Sequence, residues 1–294
     1  MIDFTNCEIN KFKYYGGKNG GKICIRYNNE DYMLKFPAIN QGILEHGYSN
    51  SCISEYIACN ILKTLGLNVQ DTLLGIYNLN GVEKIVVACK DFTTQDKILK
   101  QFAELKNSQI ATSRNGYGTD LTEVIETIEQ QKIYETIELK QFFWNMFIGD
   151  CLVGNFDRHN GNWGFLIDEK SQNIEIAPIY DCGSCLYPQL TDDKISEIIN
   201  DNDELDARVY IFPTSALKEN EKKINYFKYI SSLENEDCNK ALATMTPLVD
   251  IDKINEVINK TPEISEIRKE FYKKIIKFRH EKILKYSYNK LIKK

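Results

Sequence analysis

Asn155-Phe-Asp-Arg-His-Asn-Gly-Asn162 is the stretch that most restricts how this chain can fold. Its acids and amides do nothing in isolation, and a further acid, Asp181, follows nineteen residues after Asn162. Between them, Trp163-Gly-Phe-Leu-Ile167 and Asn173-Ile-Glu-Ile176 read as short strands, joined by a turn at Asp168-Glu-Lys-Ser-Gln172. A hairpin there returns Asp181 to the loop that begins it. Upstream, Leu139 to Val153 is rich in large apolar residues and reads as a buried helix running straight into the loop. The chain is therefore expected to build a lobe whose core helix, polar loop and hairpin converge on two carboxylates and a carboxamide.

Those groups suit phosphoryl transfer. Asp157 and Asn162 stand at the D-x-x-x-x-N spacing with which a kinase catalytic loop holds its base and a magnesium-binding amide. The transferred phosphoryl group spreads charge over its equatorial oxygens, so a site needs Mg²⁺ to neutralise it and a carboxylate to orient the attacking hydroxyl. Magnesium takes hard oxygen ligands, often only one or two of them carboxylates. Asn162 and Asp181 fit as metal ligands and Asp157 as base, with His159 or Arg158 holding it or contacting a phosphate. The same residues admit a plainer reading, in which Asn160-Gly161 is a hairpin turn, Asp157 a turn-initiating acid and Asp181 a cap.

The first ninety residues follow a different pattern. Lys22–Tyr27 and Asp31–Phe36 alternate as a hairpin about Asn28-Asn-Glu30, and Asp71–Tyr77 and Val82–Cys89 form a second pair about Asn78-Leu-Asn-Gly81. Between the pairs, Ile53, Ile57, Ile61 and Leu65 recur every four residues in a helix from Ser51 that ends at Gly66. From Thr94 onward the pattern is mostly helical. A small β-rich lobe over residues 1–90, then a larger helical lobe over 91–294, joined near Val87–Phe92, is the layout of a kinase. Lys35, ending its strand, is placed to hold the α- and β-phosphates, and Glu55, in the first turn of the helix, to pair with it. Alternatively Lys35 is a strand-end charge and Glu55 complements the helix dipole.

Gly16-Gly17-Lys18-Asn19-Gly20-Gly21 is the phosphate-loop candidate, because glycines let backbone N–H groups approach an anion. With Lys22 it nearly spells a Walker A motif. Ile23 stands where Ser or Thr belongs, however, and a strand rather than a helix follows, which disfavours a P-loop NTPase. The remaining alternative is a plain hairpin turn.

No apolar run reaches the ~18 residues of a membrane span, and the start lacks the pattern of a secretory signal peptide. Nine cysteines at irregular spacing suggest reduced thiols and a cytoplasmic setting. Cys182-Gly-Ser-Cys185 lacks the second pair that a zinc site requires. The net charge of −5 hides an asymmetry: residues 268–294 carry eleven Lys or Arg against Glu270 and Glu281, a segment charge of +9, leaving −14 on the rest. Ile267, Phe271, Ile275 and Phe278 give that segment an apolar helical face, with Thr261-Pro262 as its start. Its basic face is expected to be solvated, or to meet an acidic partner or nucleic acid.

With Tyr32-Met-Leu-Lys-Phe-Pro37, Val86-Val-Ala-Cys-Lys-Asp-Phe-Thr93, Gly154–Phe165 and Asp181-Cys-Gly-Ser-Cys-Leu-Tyr-Pro188 in view, the chain resembles the HipA-like kinases over nearly its whole length. The resemblance implies an α+β, two-lobed protein-kinase-like fold, ATP bound between the lobes with Mg²⁺, and transfer to Ser or Thr of a protein substrate in a bacterial cytoplasm. It makes Lys35 the phosphate-binding lysine, Asp157 the base, Asn162 and Asp181 the metal ligands, and hangs the adenine from the backbone near Cys89-Lys90-Asp91. HipA toxins carry a serine in the phosphate loop whose autophosphorylation shuts them off. Positions 16–22 hold no Ser or Thr, so that switch is not expected, and the resemblance leaves toxin behaviour and an antitoxin partner open. Autophosphorylation is expected elsewhere, on Thr112, Ser113 or Thr119, in a polar segment read as an exposed loop. The basic end leaves export without a signal open. Two other functions compete: a nucleotide-binding pseudokinase or regulatory module, and a small-molecule phosphotransferase.

Overall fold

Alternating apolar and polar residues at the start of the chain build one six-stranded sheet. The computed structural model describes residues 1–16, 21–37, 50–109 and 116–293. Strands β1 (Ile2–Asp3), β2 (Glu8–Ile9), β3 (Lys22–Tyr27) and β4 (Glu30–Lys35) precede helix α1 (Ser51–Thr64), and β5 (Thr72–Leu79) and β6 (Val82–Lys90) follow it. Their order in the sheet is β1-β5-β6-β4-β3-β2, antiparallel except for β1 on β5. Both expected hairpins are present. Asn28 and Asn29 turn one, and Asn80 and Gly81 the other, all four at positive φ, the turn chemistry that matches the twist of paired strands. β1 and β2 are two residues each, too short to carry an alternation signal. Phe4, Ile25, Tyr32, Leu34, Val86 and Ala88 form the core of the sheet.

The second half gathers around α4 (Thr136–Val153), reached through β7 (Lys97–Gln101), α2 (Phe102–Gln109) and α3 (Leu121–Gln130). α4 is apolar on almost every side and is buried on almost every side, as a central helix must be. It stops at Gly154, whose left-handed φ of 66° lets its N–H cap Asp150 and Cys151. The next residue opens the polar loop. β8 (Gly164–Asp168) and β9 (Ile174–Ile176) are the expected hairpin, and β7 adds a third, antiparallel strand to it. β7 was not expected, because Ile98 and Leu99 stand side by side instead of alternating; pairing with β8 makes it a strand. Trp163 stacks on Phe102 at 3.9 Å and pins this small sheet to the core.

Helices α5 (Asp192–Ile199) and α6 (Asn202–Tyr210), a two-stranded hairpin of β10 (Lys218–Glu219) and β11 (Lys222–Lys223), and helices α7 (Tyr226–Ser232), α8 (Glu236–Met245), α9 (Ile251–Lys260), α10 (Glu266–Arg279) and α11 (Tyr286–Leu291) complete the chain. The last two are joined by a π-helical turn over His280–Lys285. The C-terminal helix starts four residues later than expected: Thr261 closes α9, and Ser265 is the N-cap of α10, accepting from the Arg268 N–H. Its basic residues are also less solvated than expected. Arg268 is buried against Asp192 and the Leu190 carbonyl, Arg279 donates to the carbonyls of Cys151 and Arg208, and Lys282 pairs with Asp206. These cations staple the helix to the lobe. Among the described residues no helix is long and apolar enough to cross a membrane.

The two halves do not split cleanly. Ile53, Ile57, Ile61 and Leu62 of α1, with Leu65 just past its end, bury into the same core as α4. The helix carrying Glu55 is thereby fixed to the lobe that carries Asp157.

Candidate active site

Lys35 ends a central strand with its side chain in the cleft. Its Nζ lies 2.7 Å from both Glu55 oxygens and 3.0 Å from Asp181 Oδ1. Residues 35, 55 and 181, far apart in the chain, thus meet at one ammonium. Lys35 and Glu55 are buried, whereas the Asp181 side chain keeps 43% of its exposure. Burial works against the Lys35 charge, but Asp181 and Glu55 outweigh it and hold the amine protonated. Lys35 in turn holds the Asp181 carboxyl down to about 2. Asp181 sits at a φ of 58°, a left-handed conformation that costs a non-glycine residue about 1–2 kcal/mol and is tolerated where the surroundings impose it.

The polar loop is held by a network that its spacing alone did not reveal. The Asp157 N–H donates to Asn155 Oδ1 at 3.0 Å, and the Asp157 carbonyl accepts from Asn162 Nδ2 at 2.9 Å and from the His159 N–H at 2.8 Å. Asn162 thus spends its amide nitrogen on the loop, while among the described residues no hydrogen bond occupies its Oδ1. Beneath, Asp150 of α4 accepts from Asn155 at 2.9 Å and from Arg158 at 3.0 and 3.2 Å. Arg158 also donates to the carbonyls of Asn162 and Tyr180, and Tyr180 Oη donates to the Gly161 carbonyl at 3.0 Å. Two cross-links therefore tie the Asn162 end of the loop to the residue before Asp181. Burial raises the Asp157 carboxyl above its ordinary range, with the His159 charge opposing.

The structure sorts the expected site residues. Lys35, Glu55 and Asp181 converge, and Asp157 and Asn162 share one closed loop. Arg158 was expected to hold Asp157 or touch a phosphate; it is buried and fully engaged with Asp150 and backbone carbonyls, so it organises the site from below. His159 is half-buried, its Nδ1 accepting from the Gly161 N–H at 3.0 Å and its ring lying edge-on to Tyr117. Of the glycine loop, Gly17, Lys18, Asn19 and Gly20 lie outside the described residues. Gly16 is exposed, its carbonyl accepting from Lys22 Nζ at 2.9 Å, and Gly21 leads into β3. Lys22 sits directly across from Lys35 in the β3–β4 ladder and adds to the field that lowers Asp181. It is the residue that closes the Gly16–Lys22 candidate loop.

The Cys89–Asp91 backbone differs from expectation. Cys89 is wholly buried behind Glu55, the Lys90 N–H donates to Asp71, the Lys90 carbonyl accepts from Gln70, and the Asp91 N–H donates to Asp31. These groups are committed within the sheet; among the described residues, the next ones along, the Asp91 carbonyl and Phe92 N–H, have no such bond. Thr119 is corrected too. Its hydroxyl donates to the Ala216 carbonyl at 2.7 Å, and Asn160 Nδ2 binds the carbonyls of Gly116 and Gly118, so residues 116–119 brace the catalytic loop. Thr112 and Ser113 lie outside the described residues. Cys182 and Cys185 are free, buried thiols, and Cys182 accepts from Arg158 at 3.3 Å. Among the described residues no three His, Cys, Asp or Glu side chains cluster as a metal site. One carboxylate, Asp181, and one amide oxygen, Asn162 Oδ1, still suit Mg²⁺, which completes its octahedron with nucleotide phosphates and water.

Comparison with known proteins agrees with this geometry. The serine/threonine-protein kinase CtkA of Helicobacter pylori is 52% identical over 271 residues, covering 92% of this chain and 82% of the relative. The crystal structure of the proinflammatory kinase CtkA from the same organism superimposes with a TM-score of 0.94 at 49% identity, over 99% of this chain and 98% of that one. The HipA of Shewanella oneidensis, solved with HipB and operator DNA, shares the fold at a TM-score of 0.55 and 15% identity, over 96% of this chain and 70% of its own. The model of the HipA-like C-terminal domain matches residues 13–261, and the chain belongs to that family.

Proposed function

We propose that this protein is an ATP- and Mg²⁺-dependent serine/threonine protein kinase. The observation that carries the reading is the meeting of Lys35, Glu55 and Asp181 beside the Asp157–Asn162 loop. The 52% identity to a serine/threonine-protein kinase supports the same reaction.

Asp181 and Asn162 Oδ1 would hold Mg²⁺, which supplies charge neutralisation at the β- and γ-phosphates. Lys35, steered by Glu55, would turn its ammonium to the α- and β-phosphates, and Lys22 adds a second cation on the same side. Asp157 would accept the proton of the acceptor hydroxyl; its raised pKa makes it a better base than an ordinary aspartate. His159, two residues on, would keep that carboxylate oriented and face the transferred phosphoryl. The adenine edge would meet the Asp91 carbonyl and Phe92 N–H, one step beyond the committed Lys90 groups.

Incubation of the purified protein with labelled ATP and Mg²⁺, together with either a protein lysate or small-molecule alcohols, tests this directly. Label is expected on Ser and Thr of protein. Label confined to small molecules would identify a small-molecule phosphotransferase, and nucleotide binding without transfer a pseudokinase.

A further inference from the structure

The β10–β11 hairpin carries charges that the reaction so far leaves unused. Asn220 and Glu221 form its turn at positive φ, and its register places Lys218 opposite Lys223 and Glu219 opposite Lys222. Residues directly opposite share a face, so the two faces differ. One face matches Glu219 with Lys222, and Glu219 lies toward Tyr229 of α7. The other pairs two lysines across the ribbon, a like-charge pairing that is unfavourable and that a neighbouring anion would relieve. Lys218 reaches Glu221 only at 3.9 Å, and among the described residues Lys223 is exposed and has no ion pair.

The doubly basic face is held rigidly beside the catalytic loop. The Lys218 N–H donates to the Thr119 carbonyl at 2.8 Å, and Thr119 Oγ1 donates to the Ala216 carbonyl at 2.7 Å. The neighbouring Gly116 and Gly118 carbonyls are clasped by Asn160, between Asp157 and Asn162. Ser215 and Ile224 close the base of the hairpin by a bond of 2.8 Å. Lys223 lies within electrostatic reach of the Asp157 carboxylate.

We propose that the Lys218–Lys223 face of the hairpin is the acceptor-docking surface, and that it selects Ser or Thr acceptors flanked by acidic residues. The proposal rests on the kinase reading above. Lys35 and Lys22 lie on the side of Glu55 and Asp181, whereas the hairpin is bonded through Thr119 and Asn160 to the loop that carries Asp157. A Glu or Asp next to the acceptor relieves the Lys218–Lys223 repulsion; a basic flank adds to it.

The test is steady-state phosphorylation of three peptides with one serine each, flanked by Glu, Ala or Lys, using the wild-type enzyme and the Lys223→Gln, Lys223→Glu and Lys222→Gln variants. An exposed ion pair contributes up to about 1 kcal/mol, roughly fivefold, so two cations should favour the Glu peptide over the Ala peptide by up to about 25-fold in kcat/KM. Lys223→Gln should shrink that ratio, Lys223→Glu should turn preference toward the Lys peptide, and Lys222→Gln, on the opposite face, should preserve the wild-type ratio. Raising ionic strength to about 1 M should collapse it. An active wild-type enzyme indifferent to peptide charge overturns the docking surface and leaves the kinase reading standing. A fall in kcat that is equal for all peptides in the Lys223 variants also overturns it and assigns Lys223 to the transferred phosphoryl. Failure of the wild type to label any protein or peptide overturns both readings.

Discussion

Two buried ion pairs stand a few residues from the reacting groups, and their surroundings give them opposite tasks. Arg158 and Asp150 are both buried, and the side-chain bonds they make are to the protein itself: to each other, to Asn155, to the Cys182 thiol, and to the carbonyls of Asn162 and Tyr180. Lys35 and Glu55 are equally buried, yet their third partner, Asp181, remains 43% exposed in the cleft. The first set can only hold the loop in place. The second is open to exchange, because a cation binding the exposed Asp181 carboxylate would free one bond of the Lys35 ammonium for an anion. Burial alone does not distinguish a structural charge from a working one; the access of its partners does.

Removing one member of the closed pair gives the largest expected effect. Arg158→Ala leaves Asp150 charged and unpaired in the core and should cost about 3–5 kcal/mol in chemical denaturation. A loss below about 1 kcal/mol would show that the network beneath the loop is dispensable. Asp157→Asn should do the reverse, lowering kcat by roughly 10²-fold or more while preserving the fold. Undiminished turnover would remove Asp157 from the role of base.

Lys35→Ala and Glu55→Ala sharpen the open pair. Each should weaken phosphoryl transfer, the glutamate change less because it acts through Lys35, and the double variant should fall short of the sum by about 0.5–3 kcal/mol. Additive losses would mean that the 2.7 Å contact does not couple them in the working enzyme. Asp181→Ala should abolish Mg²⁺-dependent nucleotide binding in calorimetry, and unchanged affinity would make Asp181 purely structural.

The smallest effect concerns pH. A carboxyl whose pKa is raised by folding binds its proton more tightly in the folded state, so Asp157 subtracts stability as pH rises from its unfolded value of about 3.9 through its raised folded value. Metal-free Asp157→Asn should therefore be at least as stable as wild type at neutral pH. Activity of the wild type should decline on acidification through that raised value, well above the pKa of about 2 at which Asp181 loses its charge. An acid limb below about 3.9 would contradict the burial of Asp157.

The sequence by itself determined the elements whose signal is local. The two N-terminal hairpins, α1, the central helix and the β8–β9 hairpin follow from period-2 or period-4 apolar spacing and from Asn and Gly turns. The D-x-x-x-x-N spacing, with Asp181 beyond a hairpin, pointed to the candidate catalytic loop, since residue types and separations survive without coordinates. The tertiary structure decided whatever depends on a partner distant in the chain. β7 exists because β8 pairs with it, Arg158 is a support because Asp150 lies beneath it, and the Lys90 backbone is committed because Asp71 and Gln70 reach it. Arg268 and Arg279 read as solvated charges until a carboxylate and buried carbonyls claimed them. Likewise Lys218 and Lys223 are ordinary surface lysines until the register pairs them across a hairpin bonded to the segment that Asn160 clasps. A single sequence states which groups a residue carries; only the fold fixes which of them are already satisfied and which remain to meet a ligand.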